Sequence, residues 1–148
     1  MPDGDEILEA QRTAWAGLAP GWEKWDSVIM DQLGPVSSAM IDGLDLAPGQ
    51  QHLDIASGTG EPGLTIARLA PIGHVVLTDL SGAMLDVARR RAHVQGITNV
   101  DTQVCSADDL PFAAATVTRS AAPTESTNDP TSSRSPISKW RGRYTPRP

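Results

Sequence analysis

Cysteine is almost absent from this chain: Cys105 is the only one in 148 residues. No internal disulfide can form, and a reducing compartment is the expected setting. Apolar runs are short, none approaching the roughly 20 residues a membrane span requires. The N-terminus, Met-Pro-Asp-Gly-Asp-Glu, is acidic where a secretory leader is basic. These features predict a soluble, cytoplasmic protein with no membrane span. Positive charge is also scarce over most of the length, with 6 Lys/Arg against 16 Asp/Glu in residues 1–118, a net charge of −10. A body of that sign repels phosphate backbones, which argues against a nucleic-acid partner.

The last thirty residues have a different composition. Residues 119–148 carry 6 Lys/Arg and 2 Asp/Glu, net +4, with ten Ser/Thr and five Pro. From the hydrophobic set they hold only Ala121, Ala122, Ile137, Trp140 and Tyr144. So little apolar area cannot offset about 1–2 kcal/mol of backbone entropy per residue, and the segment is expected to be disordered. The net charge of −6 for the whole chain averages two unlike parts.

Helical periodicity dominates residues 1–49. Ile7, Leu8, Gln11, Trp15 and Leu18 share one face before Pro20-Gly21; Trp22, Trp25, Ile29 and Leu33 continue to Gly34-Pro35; Val36, Met40, Ile41 and Leu44 complete a third helix. Trp15, Trp22 and Trp25 at this spacing read as core, with Trp22 or Trp25 alternatively covering a ligand. From residue 50 the pattern alternates. His52–Ala56 reads as a buried strand, Pro62 opens a helix ending at Pro71, and Val75–Asp79 is a second strand. Ser81 caps a helix running to Gly96, and residues 100–105 form a third strand. Strands and helices in alternation imply parallel pairing with right-handed crossovers, an α/β Rossmann-like doubly wound sheet preceded by helices. The division is 1–49 helical, 50–118 Rossmann-like and 119–148 disordered tail.

The turn after the first strand carries the chemistry. Gly58, Gly60 and Gly63 give the pattern G-x-G-x-x-G between strand and helix, and Asp79 ends the next strand. Glycines let backbone approach a ligand closely, and an acid at the second strand end can accept from ribose hydroxyls. This geometry serves either a dinucleotide or S-adenosylmethionine. Charge separates them. A pyrophosphate would face Glu61 within the turn and Asp54 behind it, whereas an ammonium and a sulfonium would be attracted by both. Read singly, Gly58 and Gly60 could be an ordinary tight turn, Asp79 a cap and Met84 a core residue. His52, His74, His93 and Cys105 lack metal-ligand or catalytic spacing, and Asp108 and Asp109 read as solvated acids, so no catalytic and no metal residue is assigned.

Three motifs in order make the pattern more specific. Leu-Asp-Ile-Ala-Ser-Gly-Thr-Gly at 53–60, Thr-Asp-Leu-Ser-Gly-Ala-Met-Leu-Asp-Val-Ala-Arg at 78–89 and Ala-Asp-Asp-Leu-Pro-Phe at 107–112 resemble the class I S-adenosylmethionine-dependent methyltransferases. The resemblance is greatest to the branch with ubiquinone/menaquinone-biosynthesis C-methyltransferases and phosphatidylethanolamine-type N-methyltransferases. It implies S-adenosylmethionine as cofactor and a small-molecule or lipid-like methyl acceptor. Asp54 with the backbone of Ala56, Gly58 and Gly60 would line the methionine end, Asp79 would hold the ribose, and Leu80 and Met84 would pack on adenine. Ser106 and Ala107 would meet the adenine edge. Ala56 stands where the family commonly has Gly, and Ser106 where it commonly has Asp.

The resemblance fades after Pro111-Phe112, where the fourth of about seven family strands should begin. The first strand is therefore expected at an open sheet edge, and the chain is expected to be the truncated front half of the fold. Deleting one G from a reading frame for Val-Asp-Ala-Val-Ser-Cys gives Val-Thr-Arg-Ser-Ala-Ala, the residues at 117–122. An out-of-frame translation from about residue 118 would explain the compositional break. The alternatives to a methyltransferase are an NAD-type dinucleotide-binding fragment and a non-enzymatic remnant.

Overall fold

A computed structural model describes residues 3–112 and 119–121. Two helices come first, α1 (Gly4–Lys24) and α2 (Asp26–Leu44). A capping box starts α1: Asp3 Oδ1 accepts from the Glu6 N–H at 2.9 Å, and Glu6 Oε2 accepts from the Asp3 N–H at 3.2 Å. The sequence predicted three helices with breaks at Pro20-Gly21 and Gly34-Pro35. Instead Pro20 lies within α1 and Pro35 within α2, and the chain breaks at Trp25, with φ −101° and ψ 14°. A proline removes one backbone donor and disfavours helical geometry in the residue before it. Both prolines are exposed, so water can serve the carbonyl each leaves unbonded. Ala19, the residue before Pro20, is packed at 3% exposure against Met84 and Val87, and this packing holds it helical.

The remaining elements are β1 (Gln51–Ile55), α3 (Gly63–Leu69), β2 (His74–Asp79), α4 (Gly82–Val94), β3 (Val100–Val104) and β4 (Arg119–Ala121). All pairings are parallel, in the order β3-β2-β1-β4. The α/β Rossmann-like arrangement expected from the alternation is present. The expectation of an open first strand is corrected: His52, Leu53 and Asp54 pair with Arg119, Ser120 and Ala121. Those three residues lie beyond the compositional break, so the disorder expected for 119–148 does not apply to them. The remainder of that expectation, for residues 122–148, lies outside the described residues.

Strand alternation assigns the side chains to two faces. Val75 and Leu77 meet α3 and α4 through Leu64, Ile66, Ala67, Leu85, Ala88 and Ala92, with Leu44 of α2 completing the cluster. Leu53, Ile55 and Val76 form the other face, against Leu110 and Phe112. The first helix packs on α4 through Ala19 and Trp22 against Met84 and Val87. Two bonds from the Arg90 guanidinium to Glu23, at 3.0 and 2.8 Å, hold the same seam. The reading of all three N-terminal tryptophans as core holds only for Trp22, because Trp15 is 43% and Trp25 56% exposed.

Leu77 is fully buried on a strand with neighbours on both sides. Leu77→Ala should therefore cost about 2–5 kcal/mol in urea unfolding, while Trp25→Ala should stay within about 0.5 kcal/mol.

Candidate functional site

The chain leaves β1 through Ala56 in the left-handed region, φ 57°, and turns within four residues. Ser57 N–H donates to the Thr78 carbonyl at 2.9 Å, tying the turn to β2, and Gly60 N–H closes it on the Ser57 carbonyl at 2.8 Å. Two glycines are required by close approach. A Cβ on Gly60, already at φ 110°, would lie 2.8 Å from Leu64 Cδ1, and one on Gly63 would lie 2.2 Å from Leu77 Cδ2. The G-x-G-x-x-G spacing therefore sets how tightly α3 seats against the sheet as well as the shape of the turn.

Two carboxylates fix this turn from below. Asp54 is buried on β1, and its Oδ2 accepts from the Gly63 N–H at 2.8 Å. Burial pushes its carboxyl up to about 7; the Gly63 hydrogen bond opposes that shift, and the charges of Glu61 and Asp79 add to it. Asp79, at the end of β2, accepts from Gly58 N–H through Oδ2 and from Ser81 N–H through Oδ1, each at 2.8 Å. It thus joins the turn to the start of α4, where Ser81 Oγ accepts from Met84 N–H at 3.4 Å. Each Asp79 oxygen keeps a further lone pair for a hydroxyl.

The site residues read from sequence gather unequally around this centre. Asp54, Ala56, Gly58, Gly60 and Asp79 form one unit, and Leu80 follows it half-buried. Cys105 N–H donates to the Asp79 carbonyl at 3.0 Å, which brings Ser106 and Ala107 alongside. Ser106 donates its hydroxyl to Asp108 Oδ1, and this bond lowers the Asp108 carboxyl below its ordinary value. Asp108 is exposed, as expected of a solvated acid, and Ser106 is its hydrogen-bond partner. Met84 stands apart. It is 3% exposed in the α1–α4 seam with Ala19 and Trp22, so it supports the site from the core and presents no open surface.

Two features depart from the sequence reading. The N–H groups of Gly58 and Gly60 are already bonded, whereas those of Thr59 and Glu61 have no partner among the described residues. Glu61 is also no bare charge. Its Oε1 lies 3.5 Å from the Arg91 guanidinium and its Oε2 accepts from Thr65 N–H at 3.2 Å. Arg91 further donates to the Thr59 carbonyl at 2.8 Å and pairs with Asp26 at 3.1 Å. Sequence reasoning overlooked Arg91. Its signal was the run Arg89-Arg90-Arg91 in an otherwise acidic body.

This arrangement suits a ligand with both a cationic and an anionic group. Asp54 and Asp79 favour positive charge, the free N–H groups of Thr59 and Glu61 favour a carboxylate, and buried Ser57 Oγ has no partner among the described residues. The Cys105 thiol is pushed up to about 11 by burial, which leaves it protonated and a poor nucleophile at neutral pH. Among the described residues no group of His, Cys, Asp and Glu could hold a metal ion, and no helix is long and apolar enough to cross a membrane.

Comparison with known proteins gives concordant results. The profile of a family described as "Methyltransferase domain" matches residues 53–130, a span that crosses the compositional break. The chain is 47% identical over 66 residues to the ubiquinone/menaquinone biosynthesis C-methyltransferase UbiE of Bordetella parapertussis, covering 44% of this chain and 25% of the relative. It is 32% identical over 90 residues to ribosomal RNA small subunit methyltransferase G of Saccharophagus degradans, covering 55% of this chain and 40% of that one. A solved structure of geranyl diphosphate C-methyltransferase from Streptomyces coelicolor A3(2), in complex with Mg2+, geranyl-S-thiolodiphosphate and S-adenosyl-L-homocysteine, superposes with TM-score 0.54. That likeness has 29% identity and covers 59% of this chain and 32% of the other. The matched region spans between a quarter and a half of these curated relatives.

Two substitutions probe the turn. Ala56→Gly should raise stability by about 0.5–1 kcal/mol, since the left-handed conformation costs alanine about 1–2 kcal/mol and glycine returns part of that gain as unfolded-state entropy. For Asp54 the folded-state value of about 7 lies above the ordinary 3.8, so between these pH values the folded state holds a proton the unfolded chain has lost. The Asp54 contribution is therefore complete below pH 3.8 and is lost as pH rises to about 7. Urea midpoints of wild type minus Asp54→Asn, measured across pH 4.5–8, should fall through this window and level off above it.

Proposed function

The chain belongs to the methyltransferase-domain family, which is S-adenosylmethionine-dependent, and on that premise we propose that its glycine turn binds this cofactor for methyl transfer to a small, quinone-type or lipid-like acceptor. The observation that carries the reading is the acidic turn itself: Asp54 and Asp79 beside two N–H groups, of Thr59 and Glu61, that are unbonded among the described residues. An acid pair in this position opposes a pyrophosphate and favours a sulfonium and an ammonium.

In this reading Asp79 accepts from the ribose hydroxyls while keeping Gly58 and Ser81 in place through their N–H groups. Ala56, Gly58 and Gly60 shape the floor under the methionine end, and Asp54 sets its charge from below. Leu80 offers an apolar surface to adenine, Met84 backs it from the core, and Ser106 with Ala107 borders the adenine edge. Once bound, the cofactor supplies an electrophilic methyl group, whose in-line transfer depends mainly on positioning and charge. The chain's part is to hold that geometry without contributing a nucleophile.

Helix α1 supports an apolar acceptor. Arg12 Nε donates to the Leu80 carbonyl at 3.4 Å and Ala19 packs farther along α4, so α1 runs beside α4 in the same direction. Residues 4–11 therefore extend past Leu80, toward the C-terminal ends of the strands. They carry Ile7 at 46% exposure and half-buried Leu8, with exposed Trp15 two turns on. The charge of −10 over residues 1–118 disfavours an RNA acceptor. The single thiol of Cys105 fits a reducing compartment, the cytoplasm.

Calorimetric titration of the whole chain should show saturable binding of S-adenosylmethionine and S-adenosylhomocysteine and none of NAD. Binding of NAD alone would replace this reading with the dinucleotide one. Binding without transfer of a labelled methyl group to demethylated quinones would leave a cofactor-binding remnant. Asp79→Asn, which removes the charge but keeps an acceptor, should weaken cofactor binding about 10–100-fold.

A further inference from the structure

The turn gathers an excess of negative charge in a small volume. Asp54, Glu61 and Asp79 all border it, and the charges of Glu61 and Asp79 are both felt at Asp54. A carboxylate arriving at the free N–H groups of Thr59 and Glu61 would meet that field. Among the described residues, the cation paired with one of these acids, Glu61, is Arg91. It reaches the turn from the last turns of α4, and its side chain is only 15% exposed.

Its contacts are specific to the peptide units that carry the free donors. One guanidinium nitrogen donates to the Thr59 carbonyl at 2.8 Å and lies 3.4 Å from Thr59 Oγ1; the other lies 3.5 Å from Glu61 Oε1. The Thr59 residue is thereby gripped at its carbonyl while its N–H stays unbonded. The Glu61 side chain is drawn toward α4 while its own N–H stays unbonded. Asp26 at the start of α2 lies 3.1 Å from the same guanidinium nitrogen that meets the Thr59 carbonyl, and adds an ion pair from a second helix. An arginine fits this task because one rigid fork reaches a carbonyl and two carboxylates at once, which a lysine ammonium cannot match.

We infer that Arg91 is a positioning residue for the cofactor's amino-acid end: it orients the Thr59 peptide and pairs with Glu61, so that the turn accepts a carboxylate despite the acids around it. The inference rests on the proposed cofactor site and assigns Arg91 no contact with the cofactor. Without Arg91, Glu61 would be left as an unpaired carboxylate beside the donors. An anionic group would be repelled there, and a purely cationic ligand would not be.

S-adenosylmethionine and its decarboxylated analogue, which keeps the sulfonium and ammonium but has no carboxylate, separate these effects. Calorimetry on the whole chain should show Arg91→Met weakening S-adenosylmethionine about tenfold, as expected for one uncompensated charge a few ångströms away. The decarboxylated analogue should bind Arg91→Met at least as tightly as wild type. The double variant Glu61→Gln/Arg91→Met should recover most of the loss, because no unpaired carboxylate then stands beside the two donors. A loss of the same size for both ligands would make Arg91 a structural residue only and overturn the inference, as would unchanged S-adenosylmethionine affinity. If Arg91→Met does not fold, Arg91→Lys replaces it: a loss confined to S-adenosylmethionine supports the assignment, and parallel losses overturn it. Failure of the wild type to bind either ligand would overturn the cofactor site itself, and the inference with it.

Discussion

A buried carboxylate holds the centre of this structure. Asp54 sits under the glycine turn with Oδ2 on the Gly63 N–H, and Gly63 has no side chain because Leu77 and that same carboxylate occupy the space. The contact fixes where α3 begins and how close it lies to β1 and β2. It also explains the spacing of the three glycines, since the last of them seats the helix as much as it shapes a ligand surface. Burying an acid in this way is unfavourable for its ionised form, and the raised Asp54 value expresses that cost.

Charge around the turn is arranged in two layers. Asp79 uses both oxygens to bind backbone donors at Gly58 and Ser81, so the acid at the end of β2 also defines the loop. Outside it, Arg91 links Glu61, the Thr59 carbonyl and Asp26, joining the turn to α4 and α2. A turn preorganised on both sides can meet a zwitterionic ligand without rearranging its backbone. The N-terminal helices are anchored through the same α4, by Ala19 and Trp22 on one stretch and by the Glu23–Arg90 pair on the next.

Much of this was legible in the sequence, for physical reasons. Strand, turn and helix from 51 to 104 follow apolar runs and punctuation residues, and the acids at 54 and 79 sit at strand positions that any parallel sheet would bring together. Pro20 and Pro35 suggest helix breaks because they are local signals, whereas Ala19 and Leu44 are held by packing with α4 and the sheet. Tryptophan spacing gave the helical period without showing which face would be covered. Arg91 and Glu61 lie 30 residues apart in sequence, and their pairing depends on how α4 crosses behind the turn. Pairing of Arg119–Ala121 with β1 is likewise invisible to composition, because it depends on backbone groups and the composition reports side chains.

If the acidic glycine turn is a site for an S-adenosyl cofactor, its unbonded donors must respond to one. The most direct measurement is an amide 1H–15N titration of the whole chain with S-adenosylhomocysteine, following Thr59 and Glu61. Both amides should shift on saturation and gain protection from hydrogen exchange, with Asp79 and Ser106 responding in the same titration. Unchanged Thr59 and Glu61 amides under S-adenosylhomocysteine, with the same amides shifting under NAD, would contradict it.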